Sequence, residues 1–386
     1  MTMKIIVALF PALATGLISN VPATRRRARV NRELSKVELS LGTVGSLLFR
    51  GPKVAGIPVL PVVAGAAAVV KAVNVLDLPA RQYDREKNTV AKEYDAWTAD
   101  GVLEHYWGEH IHLGWYSPQE MKEGYKNKGF ISAKYDFIDR MMAFSGINAL
   151  KTPPKKILDV GCGIGGTSRY LASKLGDGST VTGITLSPNQ VARATELAKE
   201  RGLPNANFQV MDALEMTWPD NSFDMVWACE SGEHMPDKKK YVEEMVRVLK
   251  PGGVLVMATW CQRDDKEVAF TQNDMKRLDY LYSEWTHPHF ISIESYKELM
   301  LGTGKLSTVW TEDWAKETIA SWRHSIWVGV YDPWPVVRRP LVWYKTLRDG
   351  ICLERFHRSF DDGLMGYGMF RARKSTEGAD PEDCTV

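Results

Sequence analysis

From residue 155 onward, short apolar runs alternate with longer stretches that have helical spacing. The run Ile157–Val160 leads into a glycine-rich turn and then into a helical pattern, and similar runs recur further along the chain. We therefore predict strands at 156–160, 181–185, 208–210, 222–230 and 254–257, with a last strand at 366–373. Strands that alternate with helices in this way are typical of a parallel sheet that is covered by helices.

The first part of the chain has the composition of a targeting segment. Lys4 precedes the apolar run Ile5–Ile18, and a small-residue site follows at 21–23, which is the outline of a secretory signal. Residues 24–53 are rich in arginine, contain Ser and Thr and have few acids, as organellar transit segments do. We expect residues 1–53 to direct the chain to a plastid through the secretory route. The alternative is that the first apolar run is an uncleaved membrane anchor.

A second apolar run occupies residues 54–70. It contains two prolines, and its 17 residues are near the lower limit for crossing a bilayer. We predict that residues 54–80 associate with the plastid membrane, with a buried hairpin or a further targeting element as the alternatives. The enzyme domain is predicted at 81–374, and we expect the polar tail 375–386 to be disordered.

Composition excludes several classes of protein. The 386 residues include 49 Lys and Arg against 47 Asp and Glu, so the net charge of +2 does not indicate a nucleic-acid partner. The hydrophobic fraction of 44% is sufficient for a large buried core. Five scattered cysteines without a CxxC pair argue against a disulfide framework and against a structural zinc site, and we expect reduced thiols.

The glycine-rich turn predicts a site for a nucleotide-containing ligand. Asp159 stands at the end of the first strand, and Gly161, Gly163 and Gly165 follow it. Glycines let the backbone turn tightly and approach a ligand closely, and the helix that follows presents free N–H groups at its N-terminus. This spacing alone also fits a dinucleotide site.

The second strand argues against a dinucleotide. Such enzymes place an acid at the end of that strand to bind the ribose, and no acid stands between Asp177 and Glu196. Asp212 follows the third strand, where its carboxylate is placed to accept a hydrogen bond from an adenine amino group. Hydride-transfer chemistry is therefore disfavoured.

Taken in order, the elements over residues 155–260 resemble the class I S-adenosylmethionine-dependent methyltransferases. The resemblance implies an α/β, Rossmann-like fold with a seven-stranded, mostly parallel sheet, helices on both faces, an N-terminal lid and a helical C-terminal cap. It also implies S-adenosylmethionine as the cofactor. The implied cofactor-binding residues are Asp159, Gly161, Gly163 and Gly165 for the methionine end, Leu186, Ser187 and Gln190 in place of the missing ribose acid, Asp212 and Ala213 for the adenine, and Glu230 beside the methyl group.

The region 84–374 resembles more closely the methyltransferases of the plastoquinone and tocopherol pathways. The lid sequence 94–114 and the segment 262–265 are similar to the branch that methylates 2-methyl-6-phytyl-1,4-benzoquinol, whereas 230–236 and 258–261 are similar to the branch that methylates γ-tocopherol. The resemblance implies C-methylation of a prenylated benzoquinol. The alternatives are methylation of γ-tocopherol, of a sterol or an amine, or a catalytically idle protein that binds the cofactor.

Methylation of a phenolic ring carbon needs a base and not a metal, because the phenol oxygen and later the ring carbon lose a proton. The available groups are His234, Glu230, His110 and Glu109. A histidine near its ordinary pKa of about 6.5 suits this task at neutral pH, so we expect His234 to take or position the phenolic proton, with His110 or Glu109 of the lid as the alternatives. Beyond Arg263 the chain is rich in tryptophan, and we expect this cap to line an apolar channel for the prenyl chain.

Overall fold

The computed structural model describes residues 53–54, 57–58, 83–86, 89–150, 152–339 and 342–376. The chain divides into two units, Met1–Asp77 and Leu78–Val386. In the first unit, strand β1 (Lys53–Val54) pairs antiparallel with β2 (Ile57–Pro58). The targeting segment, nearly all of the membrane-associating segment and the end of the tail lie outside the described residues, so those assignments stay predictions. Within the described ranges, no helix combines the length and the apolar character needed to cross a bilayer.

In the described part of the second unit, seven strands form one sheet, which confirms the expected fold class. They are β3 Lys156–Val160, β4 Thr180–Thr185, β5 Ala206–Val210, β6 Phe223–Cys229, β7 Leu249–Gln262, β8 Leu306–Asp313 and β9 Met365–Lys374. The strand order is β5-β4-β3-β6-β7-β9-β8. The five strands β3 to β7 are parallel to one another, and β9 is antiparallel to both of its neighbours, β7 and β8. The winding reverses between β3 and β6, and the carboxyl ends of strands at such a point form a ligand crevice.

Helices connect these strands and also precede them. They are α1 Thr89–Asp100, α2 Val102–Trp107, α3 Pro118–Glu123, α4 Phe130–Ser145, α5 Gly166–Leu175, α6 Pro188–Glu200, α7 Lys238–Val248, α8 Gln272–Glu284, α9 Ile293–Gly302, α10 Ala315–Thr318, α11 Ala320–Tyr331, α12 Trp334–Val337 and α13 Trp343–Asp361. Helices α1 and α2 with the loop that follows them form the lid, and α8 to α13 form the cap.

The core has two layers, one on each face of the sheet. Successive side chains of a strand point to opposite faces, so Ile157 of β3 belongs to one apolar cluster and Leu158 and Val160 to the other. Cap helices join the first cluster through Trp322 and Phe356, whose ring centroids are 4.7 Å apart. The cap is therefore part of the main core, and its aromatic residues serve packing. The apolar channel expected in the cap stays a prediction.

A buried ion pair ties two cap helices together. Arg348 of α13 donates from Nε to Glu284 of α8 at 2.9 Å, and both residues are buried. A buried carboxylate is costly without its cation, because the protein interior solvates charge poorly.

We expect Arg348→Ala to lower the free energy of unfolding by about 3 to 5 kcal/mol, because it leaves Glu284 buried and without its guanidinium. Arg358 on the same helix is the matched control: its ion pair with Glu354 is exposed, so Arg358→Ala should cost about 1 kcal/mol or less. Urea unfolding of both variants measures the difference. Equal losses in the two variants would contradict the role given to the buried pair.

Candidate active site

The glycine turn holds the ends of β3 and β6 against each other. Gly161 has φ 83°, and a Cβ at this position would lie 2.3 Å from the Cβ of Ser231. Ser231 follows β6, and its hydroxyl donates to the carbonyl of Val160 at 2.8 Å. Only glycine leaves room for this contact, which sets the distance between the turn and the end of β6.

The lid crosses directly over the start of α5. A Cβ at Gly166 would lie 2.0 Å from the carbonyl oxygen of Glu109, so the lid backbone occupies the space of a missing side chain. Lys134 of α4, which is buried, donates from Nζ to the carbonyls of Trp107 and His110 at 2.8 and 2.7 Å. These contacts clamp the lid between α4 and the glycine turn.

Beneath the lid lies a cavity of about 300 Å³ at the carboxyl ends of β3, β4 and β6. It brings together twelve of the thirteen predicted site residues, namely Glu109, His110, Asp159, Gly161, Gly163, Leu186, Ser187, Gln190, Asp212, Ala213, Glu230 and His234. Gly165 does not line the cavity. It has φ 75° and immediately precedes α5, and a Cβ there would lie 2.4 Å from the ring of Phe208, so local packing requires glycine at this position.

Asp159 is buried at the end of β3. The hydroxyl of Ser168 donates to its Oδ2 at 2.5 Å, and burial raises the pKa of Asp159 to about 6. Because the carboxyl is desolvated, it gains from a cationic or hydrogen-bond-donating ligand in the cavity.

The three residues predicted to replace the ribose acid are placed unequally. Ser187 is the N-cap of α6, and its hydroxyl accepts from the backbone N–H of Gln190 at 3.0 Å. The same hydroxyl donates to the Asp95 carboxylate. Gln190 accepts at Oε1 from Thr185, while its Nε2 is directed toward Gly163 and lies 3.9 Å from the position of a Cβ there. The Gln190 Nε2 is therefore available to donate to a ligand, whereas the Ser187 hydroxyl already makes hydrogen bonds within the protein.

Two glutamates form the buried acidic part of the site. Glu230 follows β6 with φ 50°, an unusual conformation for a residue with a side chain. Its Oε1 accepts from the Leu113 N–H at 2.8 Å and from the Tyr367 hydroxyl at 2.6 Å. Burial, and then the nearby Glu233, raise the pKa of the Glu230 carboxyl well above its usual range. Burial likewise raises the pKa of Glu233, which accepts from the Thr259 hydroxyl at 2.6 Å.

His234 differs from its expected state. The hydroxyl of Tyr94 lies 2.8 Å from its Nε2, and its ring stacks on His287 with centroids 4.6 Å apart. Burial, with Lys238 nearby, lowers the pKa of His234 to about 3. The expectation of a pKa near 6.5 is therefore wrong, because this imidazole is enclosed and the nearby Lys238 further disfavours its cation. Its buried Nδ1 has no hydrogen-bond partner among the described residues.

The two lid candidates lie toward the glycine turn. His110 is buried, and its Nδ1 is 3.1 Å from the position of a Cβ at Gly166; burial lowers its pKa well below the usual value. Glu109 accepts from Arg169 at 2.5 Å at one oxygen and from Arg201 at the other. With both oxygens held by guanidinium groups, Glu109 is placed to fix the lid and is poorly placed to accept a proton.

Several residues of the site were not singled out from the sequence. Tyr94, Tyr367 and Lys134 contact the predicted groups from α1, β9 and α4. Tyr367 reaches Glu230 because it pairs with Trp260 across β7 and β9. No local pattern marks such a residue, since its partner is 137 positions away.

The residues of the cavity fit S-adenosylmethionine. Gly161 and Gly163 provide a cradle without side chains, and the buried carboxyls of Asp159 and Glu230 suit a ligand that carries an ammonium group and a sulfonium cation. The fold and this site define an S-adenosylmethionine-dependent methyltransferase.

Comparison with known proteins agrees with this class. Residues 158–257 match the family model described as a methyltransferase domain. A 2-methyl-6-phytyl-1,4-hydroquinone methyltransferase from Synechocystis sp. is 42% identical, over 76% of this chain and 90% of the relative. A protein of Arabidopsis thaliana named chloroplastic tocopherol O-methyltransferase is 33% identical, over 87% of this chain and 94% of the relative. The chain belongs to the family of methyltransferases that these two relatives represent.

Solved structures share the fold. The [4+2]-cyclase SpnF has a TM-score of 0.58 at 23% identity and covers 78% of this chain and 99% of its own. A geranyl diphosphate methyltransferase has a TM-score of 0.57 at 20% identity, with coverage of 75% and 99%. One of these proteins is a cyclase, so the fold by itself does not fix the reaction.

We expect Gly166→Ala to lower the free energy of unfolding by about 1 to 3 kcal/mol, because its Cβ would displace the carbonyl of Glu109. Gly178→Ala is the matched control, since nothing lies within 4 Å of a Cβ at that position. Thermal unfolding and limited proteolysis of the lid measure both variants. If the two alanine variants are equally stable and their lids equally resistant, the close contact between lid and turn is not formed.

Proposed function

We propose that this methyltransferase transfers a methyl group to a ring carbon of a prenylated benzoquinol such as 2-methyl-6-phytyl-1,4-benzoquinol or its solanesyl counterpart. The observation that carries the proposal is the arrangement of Glu230, Tyr94 and His234 on the wall of one cavity that the glycine turn also lines. This set offers a buried proton acceptor beside a neutral pair that can hydrogen-bond a phenol. The name of the Synechocystis relative supports the choice of acceptor.

The reaction defines what the protein must supply. The bound cofactor provides an electrophilic methyl group on its sulfonium sulfur. The ring carbon ortho to the quinol oxygen forms the new bond to this methyl group, the bond from methyl to sulfur breaks, and the ring carbon then releases its proton. The protein must orient the ring, exclude water and accept that proton.

In this proposal Glu230 accepts the proton. Its carboxyl has a raised pKa, so its ionised form is a stronger base than an exposed carboxylate. Gly161 and Ser231 fix the end of β6 close to the turn, and Tyr367 and Leu113 hold Oε1 by hydrogen bonds. A cation bound in the cavity would favour the ionised form of Glu230 before the reaction.

His234 has a positioning role in this proposal. Because its pKa is about 3, the imidazole stays neutral at physiological pH and is too weak a base to remove a phenolic proton outright. A neutral imidazole can still accept a hydrogen bond from a quinol hydroxyl, and Tyr94 orients the ring through Nε2. His110 and Glu109 act further away, where they close the lid over the cofactor.

The cofactor-binding roles follow the same geometry. Asp159 binds the methionine end, the Gln190 side chain binds the ribose, and Asp212 with Ala213 borders the adenine. One oxygen of Asp212 accepts from the Leu214 N–H at 2.8 Å, which fixes the carboxylate direction. Leu186 contributes an apolar wall.

The acceptor is tested by assaying the purified enzyme on 2-methyl-6-phytylbenzoquinol, 2-methyl-6-solanesylbenzoquinol and γ-tocopherol side by side. We expect the two benzoquinols to be methylated with a kcat/KM about ten-fold or more above that for γ-tocopherol. A ten-fold difference corresponds to about 1.4 kcal/mol in transition-state binding. A preference for γ-tocopherol would assign the chain to the activity named for its Arabidopsis relative.

The base is tested by the pH dependence of turnover. Ionisation of Glu230 increases as pH rises through its raised pKa, so the parent enzyme should gain activity with increasing pH across the neutral range. Glu230→Gln keeps an acceptor for Tyr367 and Leu113 but should lower kcat by about 100-fold or more and lose this rise.

His234→Ala is the matched variant, and we expect it to raise the acceptor KM and retain the rise with pH. Disappearance of the rise in His234→Ala, with retention in Glu230→Gln, would transfer the role of base to His234.

We also propose that the enzyme acts in a plastid. The support is the signal-like run followed by the arginine-rich stretch, together with the word chloroplastic in the names of the Arabidopsis thaliana and Oryza sativa relatives. Residues 1–53 fused to a fluorescent protein should accumulate in plastids. Secretion of the fusion to the medium would contradict this targeting.

A further inference from the structure

The cap carries an exposed apolar surface outside the cavity. On α11, Trp327 and Tyr331 are four positions apart and lie on one face, with ring centroids 5.7 Å apart. Trp334 on the next helix, α12, is also exposed. Helix α13 adds Trp343, Tyr344 and Leu347, while its other face is buried in the core. These six side chains, between 36% and 67% exposed, are called the cap patch.

Cationic side chains border the cap patch. Arg338 and Arg339 are exposed directly after α12, and the ammonium group of Lys126 lies 4.1 Å from the ring centroid of Trp327. Two acids lie nearby and are hydrogen-bonded within the fold: Asp332 to His105 at 2.8 Å, and Asp349 to the Trp285 indole. The aromatic surface is therefore bordered by three cationic side chains, Lys126, Arg338 and Arg339, together with these two carboxylates.

The cap patch is joined to the lid of the active site. Lys345, between Tyr344 and Leu347 on α13, pairs with Glu93 of α1 at 3.8 Å, and α1 also carries Tyr94. The hydroxyl of Tyr106 on α2 donates to the carbonyl of Asp332 at 2.6 Å. A surface that covers the cap patch would therefore lie beside the helices that close the cavity.

We propose that the cap patch docks onto the surface of a bilayer that contains anionic lipids. Tryptophan and tyrosine favour the boundary between headgroups and acyl chains, and arginine and lysine at the rim attract anionic headgroups. A peripheral contact of this kind needs no membrane-spanning helix. The benefit for the enzyme rests on the proposed function: a prenylated quinol dissolved in the bilayer would reach the cavity beside the docked lid.

The test uses the full chain with vesicles of phosphatidylcholine, alone or mixed with phosphatidylglycerol, with and without brominated acyl chains. Residues 1–80 contain no tryptophan, so quenching by bromine reports contact of the enzyme domain with the bilayer and not insertion of the apolar run 54–70 itself. We expect quenching in the vesicles that contain phosphatidylglycerol, and weaker quenching in phosphatidylcholine alone.

Two matched triple variants test whether the cap patch makes the contact. Both keep every tryptophan, because tryptophan fluorescence is the signal. Tyr331→Ser and Leu347→Ser, combined with Val337→Ser next to the cap patch on α12, remove exposed apolar groups at the patch and should weaken the quenching-detected affinity by about ten-fold or more. Val268→Ser with Met275→Ser and Leu301→Ser removes similarly exposed groups outside the cap patch, and should leave that affinity unchanged. Arg338→Gln with Arg339→Gln should reduce the preference for phosphatidylglycerol.

Absence of quenching in every vesicle, or equal losses in the two triple variants, would overturn the proposal. If the parent chain sediments as a dimer, the cap triple variant sediments as a monomer and no quenching is seen, the patch binds a second copy of the chain. That result would also overturn the proposal. The quenching needs no methyl transfer. Quenching together with no activity on any quinol would therefore refute the proposed function and leave the docking surface intact.

Discussion

The contact between Gly166 and the carbonyl of Glu109 is the constraint on which the active site depends. It lets the lid backbone pass over the start of α5 at a distance that any side chain would prevent. From this crossing point the lid continues to Leu113, whose N–H reaches Glu230 at 2.8 Å. One short segment therefore joins the cofactor cradle to the group that we propose as the base. Closure of the lid and orientation of that base are parts of the same arrangement.

Desolvation sets the charge state of the groups in the cavity. The same burial that raises the pKa of Glu230 lowers the pKa of His234, because each group is pushed toward its neutral form. A neutral imidazole and a readily protonated carboxyl then stand near each other without an ion pair between them. This combination suits an uncharged phenol, because the imidazole can hydrogen-bond its hydroxyl and the carboxyl can accept the proton that the ring carbon releases. It also leaves the cavity favourable for a cationic cofactor.

The sequence predicted the parts of the fold that depend on local pattern. Six of the seven strands and the glycine turn could be recognised because apolar periodicity and glycine spacing are properties of neighbouring residues. The edge strand β8, which lies within the tryptophan-rich region, was not predicted. The expected pKa of His234 was wrong because it depends on enclosure by Tyr94 and His287, which lie in distant segments. The contacts of Tyr367 and Lys134 could not be predicted for the same reason, since strand register and helix packing create them.

The central claim is that the lid segment 109–114 and the glycine turn 161–166 act as one unit around the cofactor. Hydrogen–deuterium exchange of the full chain with and without S-adenosylhomocysteine tests it most directly. We predict that ligand binding slows exchange in both segments together, including at the Leu113 amide that donates to Glu230. Slower exchange in 161–166 with no change in 109–114 would contradict the claim.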